Sequence, residues 1–118
     1  MSGIIYIDGV PQEFTGNLWD YAGMNIHRVD GPAIIWRDGA TEWYLNGKNH
    51  RVGGPAFEGV SGYKAWIING KRHREDGPAI ECTDGTRYWC LNGKDYSFED
   101  FLKQLPEEDA VMVKLTWG

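Results

Sequence analysis

From residue 27 to residue 96 the chain alternates apolar and polar positions in short runs between glycine-marked turns, and its longest apolar runs reach only four or five residues. Asp38-Gly39 and Asp84-Gly85 each stand between two strand-like runs, and a two-residue Asp-Gly loop is a strong hairpin signal. With that turn as the centre, Ile34 lies opposite Trp43 and Trp36 opposite Thr41 on one face. Ala33 opposite Tyr44 and Ile35 opposite Glu42 lie on the other. In later copies the first face keeps Phe57 and Ile80 beside Trp66 and Trp89, followed by Ile68 and Leu91, whereas the second changes to Glu58, Glu81 and Ala65. The first face is therefore assigned to the core. Ser61-Gly62 replaces Asp-Gly in the second copy and Gly59 interrupts its strand, which predicts a bulge there.

The same pattern returns every 23 residues. His27, His50 and His73 are each followed by Arg; Gly31, Gly54 and Gly77 each precede Pro-Ala; Trp43, Trp66 and Trp89 precede Asn-Gly-Lys triplets that begin at Asn46, Asn69 and Asn92. Asn-Gly is a second turn signal, and Pro32, Pro55 and Pro78, lacking an N–H, mark strand entries or edges. Two turns and two strands per unit give an antiparallel meander whose hairpins are too small to stand alone and must stack. The expected fold is mainly β, a single domain over 1–118 built of stacked antiparallel hairpin repeats with a short C-terminal helical cap.

The ends depart from the repeat. Residues 1–26 read as an N-terminal cap, an incomplete hairpin of Ile4–Ile7 and Val10–Phe14 around Asp8-Gly9. The repeats occupy 27–96. In 97–118, Ser97 with Asp100 resembles a helix N-cap, and Phe98, Phe101, Leu102 and Leu105 share one helical face that Pro106 ends. Glu107–Asp109 reads as a solvated acidic stretch and Ala110–Trp117 as a last strand, the whole segment covering the open edge of the sheet.

Composition sharpens this picture. Six Trp, six Tyr and sixteen Gly favour many short strands. The net charge of −5 is carried by the two ends, −3 in 1–26 and −3 in 97–118, against +1 in the repeats. Attraction to nucleic acid or to an anionic membrane is not expected. Neither a charged, apolar leader nor a membrane-length run occurs, and two cysteines without framework spacing, Cys82 and Cys90, fit a reducing cytoplasm.

The 23-residue period, with Asn-Gly-Lys-x-His and a later Asp-Gly before an aromatic residue, resembles the MORN repeat. The form His-Arg-x-Asp-Gly-Pro-Ala is closer to a MORN-like variant of small phage and large-virus proteins, in which an ending such as Leu91-Asn92-Gly93-Lys94 before an acidic, phenylalanine-containing helix is common. The likeness covers 27–105. It implies stacked hairpins in one elongated sheet and a binding scaffold with varied partners. Gly-Pro-Ala replaces the smaller glycine pattern of typical MORN units, so curvature does not carry over.

Equivalent positions two strands apart lie about 9–10 Å from one another, so His27, His50 and His73 do not converge on a metal, and no metal or cofactor is expected. Each His-Arg pair is expected to hydrogen-bond the neighbouring turn, through Asp30 or Asp76. The recurrence of Trp43, Trp66 and Trp89 reads as a structural spine with the histidines. Aromatics that do not repeat, Trp19, Tyr21, Trp36, Tyr44, Tyr63 and Tyr88, are the better candidates for contacting a partner, with Lys71, Arg72 and Arg74 of the one dense basic cluster. Cys82 and Cys90 lie too far apart to bridge and read as packing residues. No nucleophile elbow, P-loop or zinc-protease helix motif occurs, and an enzyme is not expected.

These readings lead to a non-enzymatic protein-binding scaffold, in the viral setting an accessory protein that inhibits or redirects a host defence factor in the host cytoplasm. Two alternatives stay open: a binder or sponge for a nucleotide or phosphorylated molecule, and a structural component of a particle. The edge beside 1–26 leaves room for a homodimer.

Overall fold

Two chemically different turns alternate along the chain and set its register. In the Asn-Gly turns both residues have positive φ: Asn46 (51°) with Gly47 (80°), Asn69 (49°) with Gly70 (79°), Asn92 (51°) with Gly93 (82°). That is the type I′ two-residue loop, and Asp8-Gly9 (52° and 79°) makes a fourth. At Asp38-Gly39 and Asp84-Gly85 only the glycine has positive φ, and the loop holds three residues: the Trp36 N–H donates to the Ala40 carbonyl and the Gly39 N–H to the Trp36 carbonyl. The aspartate bonds its own turn, Asp38 Oδ1 accepting from the Ala40 N–H and Asp84 Oδ1 from the Thr86 N–H, both at 2.9 Å. The second repeat closes the same three-residue loop with Ser61 in the aspartate's place, the Gly59 N–H donating to the Tyr63 carbonyl. The left-handed glycine common to all three copies therefore goes with the longer loop, and the aspartate bond supplements it.

The computed structural model describes residues 2–118. Its strands are β1 (Ser2–Ile7), β2 (Val10–Thr15), β3 (Ile34–Trp36), β4 (Thr41–Glu42), β5 (Tyr44–Leu45), β6 (Lys48–Asn49), β7 (Phe57–Glu58), β8 (Lys64–Ala65), β9 (Ile67–Ile68), β10 (Lys71–Arg72), β11 (Ile80–Glu81), β12 (Arg87–Leu91) and β13 (Lys94–Tyr96), followed by helices α1 (Phe98–Gln104) and α2 (Glu107–Trp117). Nine strands form one antiparallel meander in the order β2-β1-β3-β4-β7-β8-β11-β12-β13, while β5–β6 and β9–β10 are small hairpins of their own. The body measures 45 × 27 × 22 Å, elongated along the stack.

The three-residue loop moves the pairing by one position from the expected register. Ile34 faces Glu42 and Ile35 faces Thr41. A one-residue slip transfers every side chain of a strand to the opposite face. Face A therefore carries, across the sheet, Gln12, Ile5, Ile34, Glu42, Phe57, Ala65, Ile80 and Tyr88. Face B carries Glu13, Ile4, Ile35, Thr41, Glu58, Lys64, Glu81 and Arg87. By alternation Trp43, Trp66 and Trp89 belong to face B, away from Ile34, Phe57 and Ile80, which corrects their assignment to one core face. The second repeat keeps the common register, Phe57 with Ala65 and Glu58 with Lys64, and Gly59 donates its N–H to the Tyr63 carbonyl. The second repeat is not irregular at Gly59 as expected: Gly62, at φ 99°, takes the left-handed bulge position of its loop as Gly39 and Gly85 do in theirs.

Backbone bonds and a recurring side-chain clamp tie each repeat to the next. Nδ1 of His27, His50 and His73 accepts the N–H of Asn46, Asn69 and Asn92, at 2.9, 3.0 and 3.0 Å. The adjoining arginine lies over the aromatic ring of the preceding unit: Arg28 over Tyr6 at 4.2 Å, Arg51 over Trp43 at 4.0 Å, Arg74 over Trp66 at 3.8 Å. Each donates from Nη1 to the carbonyl of its own Pro32, Pro55 or Pro78. The glycine of Gly-Pro-Ala is the floor beneath, since a Cβ on Gly31, Gly54 or Gly77 would lie 2.8 Å from the guanidinium carbon.

The two ends are covered on opposite faces. Residues 16–26, with a 3-10 turn at Leu18–Tyr21, lay Leu18, Tyr21 and Ile26 over Ile5, Phe14 and Ile34 on face A. On face B, α1 and α2 close over Trp89, with Phe98, Phe101 and Trp117 at ring distances of 4.7, 5.2 and 6.2 Å and Val113 buried beside them. The N-terminal hairpin is complete, six residues on each strand. Residues 110–117 are helical, correcting the expected last strand: Pro106 opens α2, Glu107, Glu108 and Asp109 fill its first turn where the helix dipole favours anions, and Ala110, Val113 and Trp117 turn one stripe inward.

The clamp has a testable geometry. Gly54→Ala is expected to cost about 2 kcal/mol in urea unfolding, because the new methyl group displaces the Arg51 guanidinium. In Arg51→Ala the same glycine substitution should cost nearly nothing, a coupling of at least about 1 kcal/mol. Additive losses would place the strain elsewhere.

Candidate interaction surfaces

Of the aromatic residues singled out from sequence, Tyr21, Trp36, Tyr44 and Tyr63 are half-buried. Tyr21 and Trp36 pack edge-on against Phe14, at 5.9 and 5.3 Å between ring centroids, and Tyr63 does the same to Phe57 at 5.7 Å. Tyr44 is half-buried against the N-terminal cluster. Trp19, 80% exposed, and Tyr88, 44% exposed, point outward. The basic cluster is dispersed: Arg72 pairs with Asp95 at 3.3 Å, Arg74 stacks on Trp66 and pairs with Asp76 at 2.8 Å, and Lys71 alone is solvent-exposed. The four residues 71–74 do not converge.

What the register leaves open is the C-terminal half of face A. Residues 16–26 cover it only as far as Ile34 and Trp36, and the helices lie on the other face. Beyond that cover run the half-buried Phe57 and Tyr63, the half-exposed Cys82 and the exposed Tyr88, over a buried floor of Ala65 and Ile80. Face B opposite them is a ladder of alternating charge, Glu58, Lys64, Glu81 and Arg87, with Arg51–Glu58 at 3.6 Å and Arg74–Glu81 at 3.5 Å along it. One face is thus aromatic and the other ionic over the same strands.

Glu42 stands at the inner end of the open strip and was not singled out from sequence. It is 9% exposed, and its carboxylate accepts the Trp36 indole N–H at 2.8 Å. Burial raises its pKa from the ordinary glutamate value, and the indole bond opposes that rise in part. Burial, with the Glu42 charge adding to it, also pushes the Tyr44 hydroxyl up to about 12. The missed signal lay in the register: with Ile34 opposite Glu42 this carboxylate joins the apolar row. Val29 and Val52, 77% and 79% exposed, were also passed over, although they recur at one repeat position that holds Glu75 in the third copy.

The thiols and imidazoles are structurally engaged. Cys90 is buried, donates to Asp95 Oδ1 at 2.9 Å, and is pushed up to about 12, first by burial and then by that hydrogen bond and the Asp95 charge. Cys82 is free and half-exposed. Among the described residues no cluster of three or more His, Cys, Asp or Glu side chains is placed to hold a metal ion, and no helix is long and apolar enough to cross a membrane. Edge strand β2 turns Pro11 toward the side where a further strand would pair, and proline offers no N–H there. No family model, curated protein or solved structure matches the chain.

The shifted carboxyl makes a pH-dependent prediction. A pKa raised in the folded state means that folding favours protonated Glu42, so its ionisation subtracts stability at neutral pH and ceases to do so once the unfolded-state carboxyl is also protonated. Glu42→Gln keeps an acceptor for Trp36 and should stabilise the fold by on the order of 1 kcal/mol at pH 7. The gain should shrink as the pH falls through the folded-state value of Glu42 and vanish below the ordinary carboxylate range, read from denaturation midpoints across pH.

Proposed function

We propose that the chain is a non-enzymatic scaffold that binds a partner protein on face A, with Tyr88, Tyr63 and Phe57 of its uncovered half as the contact strip and the outward Trp19 on the N-terminal cover as a further contact. The observation that carries this reading is the offset of the two covers. Each end segment shields one face, and the aromatic strip under neither is left open above a rigid, hydrogen-bonded floor. Aromatic side chains on a rigid support are the usual anchors of protein interfaces, because they bring large contact area at small entropic cost. The charge ladder lies on the reverse face and takes no part in the strip.

The raised Cys90 thiol and Tyr44 hydroxyl are less ionised than ordinary ones, which suits packing groups and does not favour nucleophiles. The resemblance to the MORN-like repeats of phage and large-virus proteins supports the narrower setting, an accessory protein that inhibits or redirects a host defence factor in the host cytoplasm.

Capture from host lysate tests the reading. The wild-type chain should retain a defined protein, and Trp19→Ala with Tyr88→Ala should lower its recovery at least about tenfold with an unchanged melting temperature, as for exposed anchor residues. Equal recovery by the variant would remove this face from the binding surface, and capture of no protein would remove the scaffold.

A further inference from the structure

The loop of the third repeat is closed by the chain itself. The Trp117 ring rests on Gly77, one ring carbon 3.0 Å from the place a Cβ would take, and its Nε1–H donates to the Asp76 carbonyl at 3.0 Å. Arg74 and Arg87 flank the ring at 5.4 and 5.0 Å from its centroid. One repeat earlier the parts of this seat recur in sequence: Arg51 for Arg74, the Gly53 carbonyl for that of Asp76, Gly54 for Gly77 and Lys64 for Arg87.

There the glycine is buried beneath its own arginine. The three atoms nearest a Cβ on Gly54 all belong to Arg51, and a groove of about 470 Å³ opens between residues 51–55 and 73–76, with Trp66 and Ile68 in its wall. Two substitutions within the repeat widen its mouth. Gly53 stands where Asp30 and Asp76 hold their arginines at 3.1 and 2.8 Å, and Val52, 79% exposed, stands where the third repeat has Glu75. The cations of the groove are already engaged, Arg51 by Glu58 and Arg74 by Asp76 and Glu81, whereas Glu75 is 70% exposed with only His73 nearby at 3.5 Å.

Resting on the scaffold reading, we propose that this groove is a second contact surface that receives a tryptophan side chain of a partner protein flanked by lysine or arginine. The ring enters the groove against Arg51, which keeps Gly54 buried, with its N–H on the Gly53 carbonyl, and the flanking cations meet the exposed Glu75. A second copy of this chain fits less well: its exposed Trp19 is followed by Asp20, and each copy carries a net charge of −5.

The test uses the full-length, isotope-labelled chain and three probes in amide NMR titrations: the peptide Ac-Lys-Lys-Trp-Lys-Lys-amide, its alanine counterpart, and N-acetyltryptophanamide. The tryptophan peptide should shift the amides of 52–54 and the Trp66 indole saturably. The uncharged amide should do so about tenfold more weakly and the alanine peptide not at all. Val52→Lys, an exposed change that leaves the fold intact, should weaken the tryptophan peptide severalfold. Equal shifts from both peptides, shifts confined to face A around Tyr88, an affinity unchanged by Val52→Lys, or self-association through Trp19 would each overturn the proposal. Because the probes need no natural partner, their failure leaves the scaffold reading standing, and a failed capture through Trp19 and Tyr88 leaves this groove standing.

Discussion

The structure depends on one repeated interaction, an arginine clamped between the aromatic ring of one unit and the glycine floor of the next. No hairpin of this length is stable alone, so the stack must be held by something that acts between units. The guanidinium does this with one planar group: it covers the ring, donates to the proline carbonyl, and occupies the space a Cβ would need. Lysine has neither the plane nor the fork of donors. The histidine before it closes its own unit, its Nδ1 accepting the amide of that unit's Asn-Gly turn. The residues shared by the copies thus serve both the closure of each unit and its joint with the one before.

That dependence explains what could be read in advance. The period, the stacked hairpins, the Asn-Gly turns and α1 with its Ser97 cap follow from local chemistry that any copy displays by itself. The faces did not follow, because an Asp-Gly pair is compatible with a two-residue loop or with the last two positions of a three-residue one. The choice goes with the glycine, which alone takes positive φ in all three loops, Gly62 included where Ser61 replaces the aspartate. With side chains alternating at period two, that one residue of difference put the tryptophans on the wrong face and hid Glu42 among charged positions it does not join.

The end segments were legible as caps and illegible as to where they cap. Ala110–Trp117 has too little periodicity to declare itself; its helical state is decided by an acidic first turn and by what Val113 and Trp117 meet on face B. Likewise Leu18, Tyr21 and Ile26 show no pattern of their own and gain meaning only against Phe14 and Ile34. The candidate residues suffered the same fate, since repetition tells which aromatics the stack needs and says nothing of which others it also buries.

The offset of the two covers is the step from fold to use. A repeat array needs each terminal unit shielded, and shielding both on one face would have left the other uniform along its length. Here the shields lie on opposite faces, so each face is half closed, and the two open halves differ in chemistry: aromatic rings on face A, an arginine-lined groove between ionic rungs on face B. Because both halves stand on the same clamp-held strands, neither has to be ordered on binding. In the proposed scaffold role the two unlike surfaces would stand at fixed separation, and a partner that met both would gain the second contact at the effective concentration set by the first.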